Sequence, residues 1–142
     1  MKVVINTCHG GFGLSHKGEQ RYLELSGQRA YWYVIPIYSR QEFIRVDNID
    51  DIKPIHNCWC TTSDQGAVLY DYPDDVFYSR KLERNDPILV QVVKELGKDA
   101  SGSCSNLEVV DIEKGRWFKI DEYDGYENIQ YRDIDDEWIL AD

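Results

Sequence analysis

A glycine-rich loop near the start of the chain has the clearest chemical potential. Residues 2–7, KVVINT, form a short and mainly apolar run, and residues 8–15, CHGGFGLS, follow it directly. Glycine lets backbone N–H groups approach a ligand closely, and the N-terminus of a helix attracts anions. The pattern predicts a site for a nucleotide-like small molecule, and five residues would form it: Gly10, Gly11, Phe12, Gly13 and Ser15.

A purely structural role for the same loop is the alternative. Its spacing fits neither the G-x-G-x-x-G pattern nor a P-loop, because no Lys-Ser or Lys-Thr pair follows the glycines. Glycines also permit a tight strand-to-helix turn without any ligand. In that case we expect Phe12, the large apolar residue between the glycines, to fill the core beneath the turn.

Cysteine and histidine residues are further candidates for chemistry. Cys8 and His9 could act as nucleophile and base, but neighbours in sequence point apart on a strand. His56, Cys58 and Cys60 would share one strand face, yet their spacing is not that of a zinc knuckle. We therefore expect no catalytic residue, no metal ion and no cofactor, with reduced thiols in a protein that is not an enzyme.

The negative charge of the chain is concentrated at its C-terminal end. The formal net charge is −10, and residues 121–142 hold nine acids and one base, a net charge of −8. Such a segment is unsuited to nucleic acid and suits a partner protein with a basic surface, although a solvated tail is the alternative. Aromatic residues between the acids favour a protein-binding surface, with these members: Asp133, Asp135, Asp136, Glu137, Trp138, Tyr126 and Tyr131.

Length and composition limit the class of protein. A chain of 142 residues with 42% hydrophobic residues predicts one domain over 1–142, with 121–142 as its acidic C-terminal segment. No apolar run approaches the roughly 20 residues that cross a membrane, and no secretory leader is recognisable. We therefore expect a cytoplasmic protein that does not bind membranes. A homo-oligomer is compatible with the sequence.

Local signals predict the elements that position these residues. Ser15 and Gly27 bound a helix over 16–26, and Asp86 with Pro87 starts a second helix that runs to about residue 101. Asp124-Gly125 predicts a hairpin turn. The order of elements predicts an α+β fold with a mixed, mainly antiparallel sheet, whose strands we expect at 2–7, 30–38, 42–46, 56–62, 76–80, 107–112, 116–120 and 128–131.

Two stretches carry a resemblance to known proteins. Residues 4–15, VINTCHGGFGLS, and the block from Asp86 to Gly102 resemble small proteins encoded by bacteriophages and prophages, which open with I-N-x-C-x-G-G-F-x-L-S. The relatives end in a basic tail that contains tryptophan, whereas residues 132–138 here are acidic, so a role of that tail does not transfer directly. The resemblance implies a phage-type accessory protein that binds and antagonises a host nuclease or defence factor. The alternative is a protein that binds or sequesters a nucleotide signal.

Overall fold

The structure, a computed structural model, describes residues 1–35, 42–53 and 57–132. These residues confirm the predicted α+β class, with two α-helices and mostly antiparallel strands. The helices are α1 (His16–Leu25) and α2 (Pro87–Leu96). The described strands are β1 (Lys2–Asn6), β2 (Tyr31–Ile35), β3 (Phe43–Val46), β4 (Asn57–Thr61), β5 (Val68–Leu69), β6 (Leu107–Asp111), β7 (Phe118–Tyr123) and β8 (Tyr126–Tyr131).

Local capping explains where the helices begin and end. The Ser15 hydroxyl accepts a hydrogen bond from the Gly18 N–H at 3.0 Å, and the Asp86 carboxylate accepts from the first amides of α2. Gly27, with φ +75°, follows the end of α1 as expected. The second helical segment reaches residue 100 in two parts: the α-helix ends at Leu96, and a short 3₁₀ turn begins at Gly97, which has a φ of +57°.

The described strands form three separate sheets rather than one mixed sheet, and every pair among them is antiparallel. β1 pairs with β6, and β7 pairs with β8. The third sheet has four strands in the order β4-β2-β3-β5. Because β6 pairs directly with β1, the opening strand and helix are part of an antiparallel arrangement and not of a parallel crossover unit.

Two predicted local features have opposite outcomes. The Asp124-Gly125 turn is confirmed, with φ values of +50° and +84° and with Tyr123 opposite Tyr126. The predicted strand at 76–80 is wrong, because Val76 makes only an isolated bridge and a 3₁₀ turn covers Ser79–Lys81. This segment instead lines, together with α1, the pocket described below.

Helix α1 lies between two clusters of core residues. One cluster joins α2 to β1 and β6 and includes Val4, Leu89 and Leu107, and Leu25 of α1 packs against it. The other cluster joins Leu23 of α1 to Trp32 and Cys60 of the four-stranded sheet. Within the described residues, no helix has the length and apolar composition that a membrane span requires.

Candidate functional site

The glycine-rich loop is packed against other parts of the chain. A Cβ atom on Gly10 would lie 1.9 Å from the Cys104 carbonyl oxygen, so only glycine fits there. A Cβ atom on Gly125, in the β7–β8 turn, would lie 2.7 Å from both the Gly11 nitrogen and the His9 carbonyl oxygen. The close backbone approach that glycine permits is therefore made to the protein itself at these two positions.

Amides at the end of the loop also donate within the protein. The Leu14 N–H donates to the Ser79 hydroxyl at 3.1 Å, and the Ser15 N–H donates to the Ala100 carbonyl at 2.9 Å. The Gly18 N–H uses the Ser15 hydroxyl. These are amides that an anion at the start of α1 would use, so the loop offers fewer free donors than its sequence indicates. The ligand role of the loop stays a prediction.

Phe12 lies partly buried between the core and a charged side chain. It packs against the cluster formed by α2, β1 and β6, and the Arg84 guanidinium carbon lies 3.5 Å from the centre of its ring. Arg84 in turn makes two hydrogen bonds, at 2.6 and 2.8 Å, to the buried carboxylate of Glu127. Phe12 also lines the pocket that opens beside it, so its ring serves both packing and a potential site.

A pocket of about 280 Å³ lies between α1, the inner face of β2 and β4, and the segment at 76–80. The glycine-rich loop contributes its far end to this pocket, with Phe12 and Gly13. The remaining wall mixes aromatic, aliphatic and polar side chains. The other lining residues are Leu14, His16, Glu19, Trp32, Cys58, Trp59, Cys60, Val76, Phe77, Tyr78, Ser79 and Arg80.

Glu19 is the carboxyl group of this pocket. It lies three residues after His16 and four before the buried Leu23, so one face of α1 directs all three toward the sheet. Burial raises the pKa of Glu19 from 4.5 to about 7, and a hydrogen bond from the Ser79 hydroxyl opposes the rise. At neutral pH the carboxyl group is therefore divided between its charged and neutral forms.

Trp32 is a buried residue in the wall of the same pocket. Its side chain is 3% exposed, and no acceptor within the described part of the chain takes a hydrogen bond from its indole nitrogen Nε1. Its ring lies 5.0 Å from the His16 imidazole, and burial lowers the pKa of His16. Most buried polar groups in proteins are paired, so this indole N–H is an exception within the described part of the chain.

Cys58 and Cys60 are neutral thiols at neutral pH. Burial raises the pKa of Cys58 to about 12 and raises the pKa of Cys60 as well, and both line the pocket from β4. All four cysteines are free of disulfide bonds. His9 contacts the Tyr126 ring at 5.2 Å. Among the described residues, no three His, Cys, Asp or Glu side chains form a group that could hold a metal ion.

The described part of the predicted protein-binding surface lies on the β7–β8 hairpin. Tyr126 and Tyr131 are 39% and 38% exposed there, and Tyr123 at the tip is 81% exposed. Arg116 stacks over the Tyr131 ring at 4.2 Å. The remaining predicted members lie outside the described residues, as does His56: Asp133, Asp135, Asp136, Glu137 and Trp138.

Comparison with protein-family models, with curated proteins and with solved structures gives no match for this chain. The pocket residues Glu19 and Ser79 were not among the residues that the sequence singled out. One local signal points to Glu19. It lies three residues after His16 and four residues before Leu23, so it is on the side of α1 that faces the core. No local signal pairs it with Trp32 or Ser79, which come from distant segments.

Proposed function

We propose that the protein acts by binding, as a phage-type accessory protein that antagonises a host nuclease or defence factor with a basic surface. The contact surface is the tip of the β7–β8 hairpin together with the acids at 133–137. The observation that carries the proposal is Tyr123, which is 81% exposed at the tip with acidic neighbours on either side. Large exposed aromatic side chains are enriched where proteins bind one another.

The charge at the hairpin tip supports a basic partner. Asp121, Glu122 and Asp124 surround Tyr123, and Asp121 and Glu122 are exposed. The Glu122 carboxylate accepts a hydrogen bond from the Gly125 N–H at 3.2 Å, which holds one acid close to the turn. Acids clustered around an aromatic anchor attract a basic surface at long range and accelerate association more than they slow dissociation.

Capture and kinetics together test the proposal. The full-length protein is immobilised, bound proteins from a bacterial lysate are identified, and the captured protein is purified for association measurements at low and high salt. We expect the D133N/D135N/D136N/E137Q variant to fold normally and to associate about tenfold more slowly at low salt, with a smaller difference at high salt. Unchanged association kinetics at low salt would show that these acids do not steer the partner.

A pair of tyrosine variants locates the contact. Tyr123→Ser removes the aromatic anchor at the hairpin tip, whereas Tyr70→Ser removes a tyrosine that is 67% exposed in the distant segment after β5. We expect only Tyr123→Ser to weaken the complex, mainly through faster dissociation. Equal losses in both variants, or a loss only in Tyr70→Ser, would place the contact surface elsewhere.

A further inference from the structure

We propose that the protein forms a dimer in which the outer edge of β7 pairs with the same edge of a second copy. The outer edge consists of the backbone N–H and C=O groups of Phe118, Ile120 and Glu122. The two strands run antiparallel, with Ile120 of one copy opposite Ile120 of the other. This inference goes beyond the proposed function and does not rest on it, because it involves no host partner.

The hydrogen-bond alternation in the hairpin determines which backbone groups of β7 face outward. Tyr123 and Tyr126 flank the two-residue turn, and the Arg132 N–H donates to the Trp117 carbonyl at 3.0 Å. Residues that flank such a turn exchange both of their hydrogen bonds, and bonded pairs then recur at every second residue. The odd-numbered residues of β7 therefore bond to β8, and the three outer-edge residues direct their backbone groups away from it.

The outer edge has no backbone partner within the described part of the chain. β7 pairs there with β8 alone, and no backbone hydrogen bond joins the outer edge to another described segment. The opposite edge of the hairpin differs, because the buried carboxylate of Glu127 on β8 accepts from the Asn6 N–H of β1. A six-residue strand with an unpaired edge is a template on which another strand can add.

Charge complementarity favours a second copy as that strand and selects one register. With a twofold axis at Ile120, Lys119 of each copy lies opposite Asp121 of the other. With the axis one residue to either side, Lys119 faces Lys119 or Asp121 faces Asp121, and like charges directly opposite each other are destabilising. An axis farther along the strand shortens the paired length. The edge is therefore self-complementary in the register centred on Ile120.

The side chains at these positions are available for such pairing. Lys119 and Asp121 are both exposed on the same face of β7, and Lys119 forms no ion pair with another described residue. Asp121 accepts one hydrogen bond, at 2.8 Å, from the Gln130 amide. The Lys119–Asp121 pair between copies would be a non-hydrogen-bonded pair, with Cα atoms about 4.5 Å apart. On the other face, the half-buried Ile120 would contact its own copy.

Sedimentation equilibrium of the full-length protein tests whether the dimer forms. We expect the mass to rise with concentration from that of one chain, 16.6 kDa, to that of two chains. A twofold pairing of one edge is closed, so the mass should not increase further. A monomer at every concentration up to about 1 mM, or continued growth beyond two chains, would overturn the proposal.

A charge exchange tests the register. We expect Lys119→Glu and Asp121→Lys each to raise the dissociation constant of the dimer by about tenfold, because like charges then lie opposite each other in both symmetry-related pairs. The double variant K119E/D121K restores opposite charges and should restore the affinity. The matched control is Lys114→Glu, at an exposed lysine in the turn before β7, and it should dimerise normally.

The outcome of the exchange separates paired charges from net charge. A double variant as weak as the single variants, or an equal loss in Lys114→Glu, would contradict the register. Circular dichroism checks that each variant is folded.

Amide hydrogen exchange locates the interface on the backbone. We expect the amides of the three outer-edge residues to exchange more slowly at concentrations where the dimer forms than in dilute monomer. The amides of Lys119 and Asp121, which bond to β8, serve as internal controls and should not change. Equal exchange of the outer-edge amides in monomer and dimer would place the interface elsewhere. Protection of these amides only after a host protein is added would assign the edge to that protein instead of a second copy.

Discussion

Glu19 is the side chain whose chemistry changes most clearly when the chain folds. In solution a glutamate is ionised at neutral pH, but here burial between α1 and the sheet raises its pKa from 4.5 to about 7. A hydrogen bond from Ser79 limits the rise. Ionising this carboxyl group therefore costs stability, which is a cost that proteins retain mainly where the group has a function.

The first prediction at this scale concerns the free energy of unfolding. Because the folded state holds a proton that the unfolded chain releases, the stability contributed by neutral Glu19 is lost as pH rises from 4.5 to about 7. Glu19→Gln removes this loss. We expect the variant to gain about 1–3 kcal/mol relative to the parent between pH 5 and pH 8, measured by urea unfolding.

Glu24→Gln is the matched control for this measurement. Glu24 lies on the same helix, is exposed, and pairs with Arg21 at 3.2 Å. We expect its stability difference from the parent to stay within about 0.5 kcal/mol over the same pH range, as for most exposed pairs. If the two variants respond equally to pH, Glu19 does not carry a raised pKa in the folded protein.

At the scale of elements, the loop between β1 and α1 is a connector held by long-range contacts. Gly10 lies against Cys104, and Gly11 has a φ of +90° and faces open space. Gly13 has neither a close neighbour nor a positive φ. The three glycines therefore have different physical reasons to be present, although they look equivalent in the sequence.

Alanine substitutions separate these reasons. We expect Gly10→Ala to cost about 3 kcal/mol or more because its Cβ atom would overlap the Cys104 backbone, and Gly11→Ala to cost about 1 kcal/mol through its positive φ. Gly13→Ala is the control and should change stability by less than about 0.5 kcal/mol. Thermal unfolding measures all three, and similar losses at Gly10 and Gly13 would contradict the close approach to Cys104.

At the scale of the whole molecule, one ion pair attaches the β7–β8 hairpin to the rest of the protein. Glu127 on β8 accepts two hydrogen bonds from Arg84 and one, at 2.8 Å, from the Asn6 N–H of β1. The Asn6 side chain also donates to the Gly125 carbonyl at 2.8 Å. The proposed protein-binding tip is therefore held by hydrogen bonds to Asn6, which lies more than 100 residues away in the sequence.

Breaking this ion pair should destabilise the protein strongly. Arg84→Met leaves the buried Glu127 carboxylate without its cation, so we expect a loss of about 3–5 kcal/mol in the free energy of unfolding. Lys2→Met breaks the exposed pair with Asp111 and should cost less than about 1 kcal/mol. The double variant R84M/E127M should be more stable than Arg84→Met alone, and strict additivity of the two changes would disprove the coupling.

Much of the fold could be predicted because its signals are local. Ser15 and the Asp86-Pro87 pair mark the helix starts, and Asp124-Gly125 marks a hairpin turn, each through the conformations and hydrogen bonds of adjacent residues. The change from α-helix to a 3₁₀ turn was not predicted, because a glycine in an otherwise helical pattern does not reveal the positive φ that Gly97 adopts. The strand at 76–80 was misjudged because apolar residues there pack beside α1 instead of pairing in a ladder.

The sequence by itself determined the α+β class, the helix starts and the excess of acids in the last 22 residues, since each follows from composition or neighbouring residues. Only the tertiary structure decided which polar groups meet. Glu19, Trp32 and Ser79 come from three separate segments, and their shared pocket exists because α1 packs between two core clusters. Burial created by such packing shifts the pKa of Glu19 and leaves the Trp32 indole N–H without an acceptor among the described residues. No local sequence pattern encodes either effect.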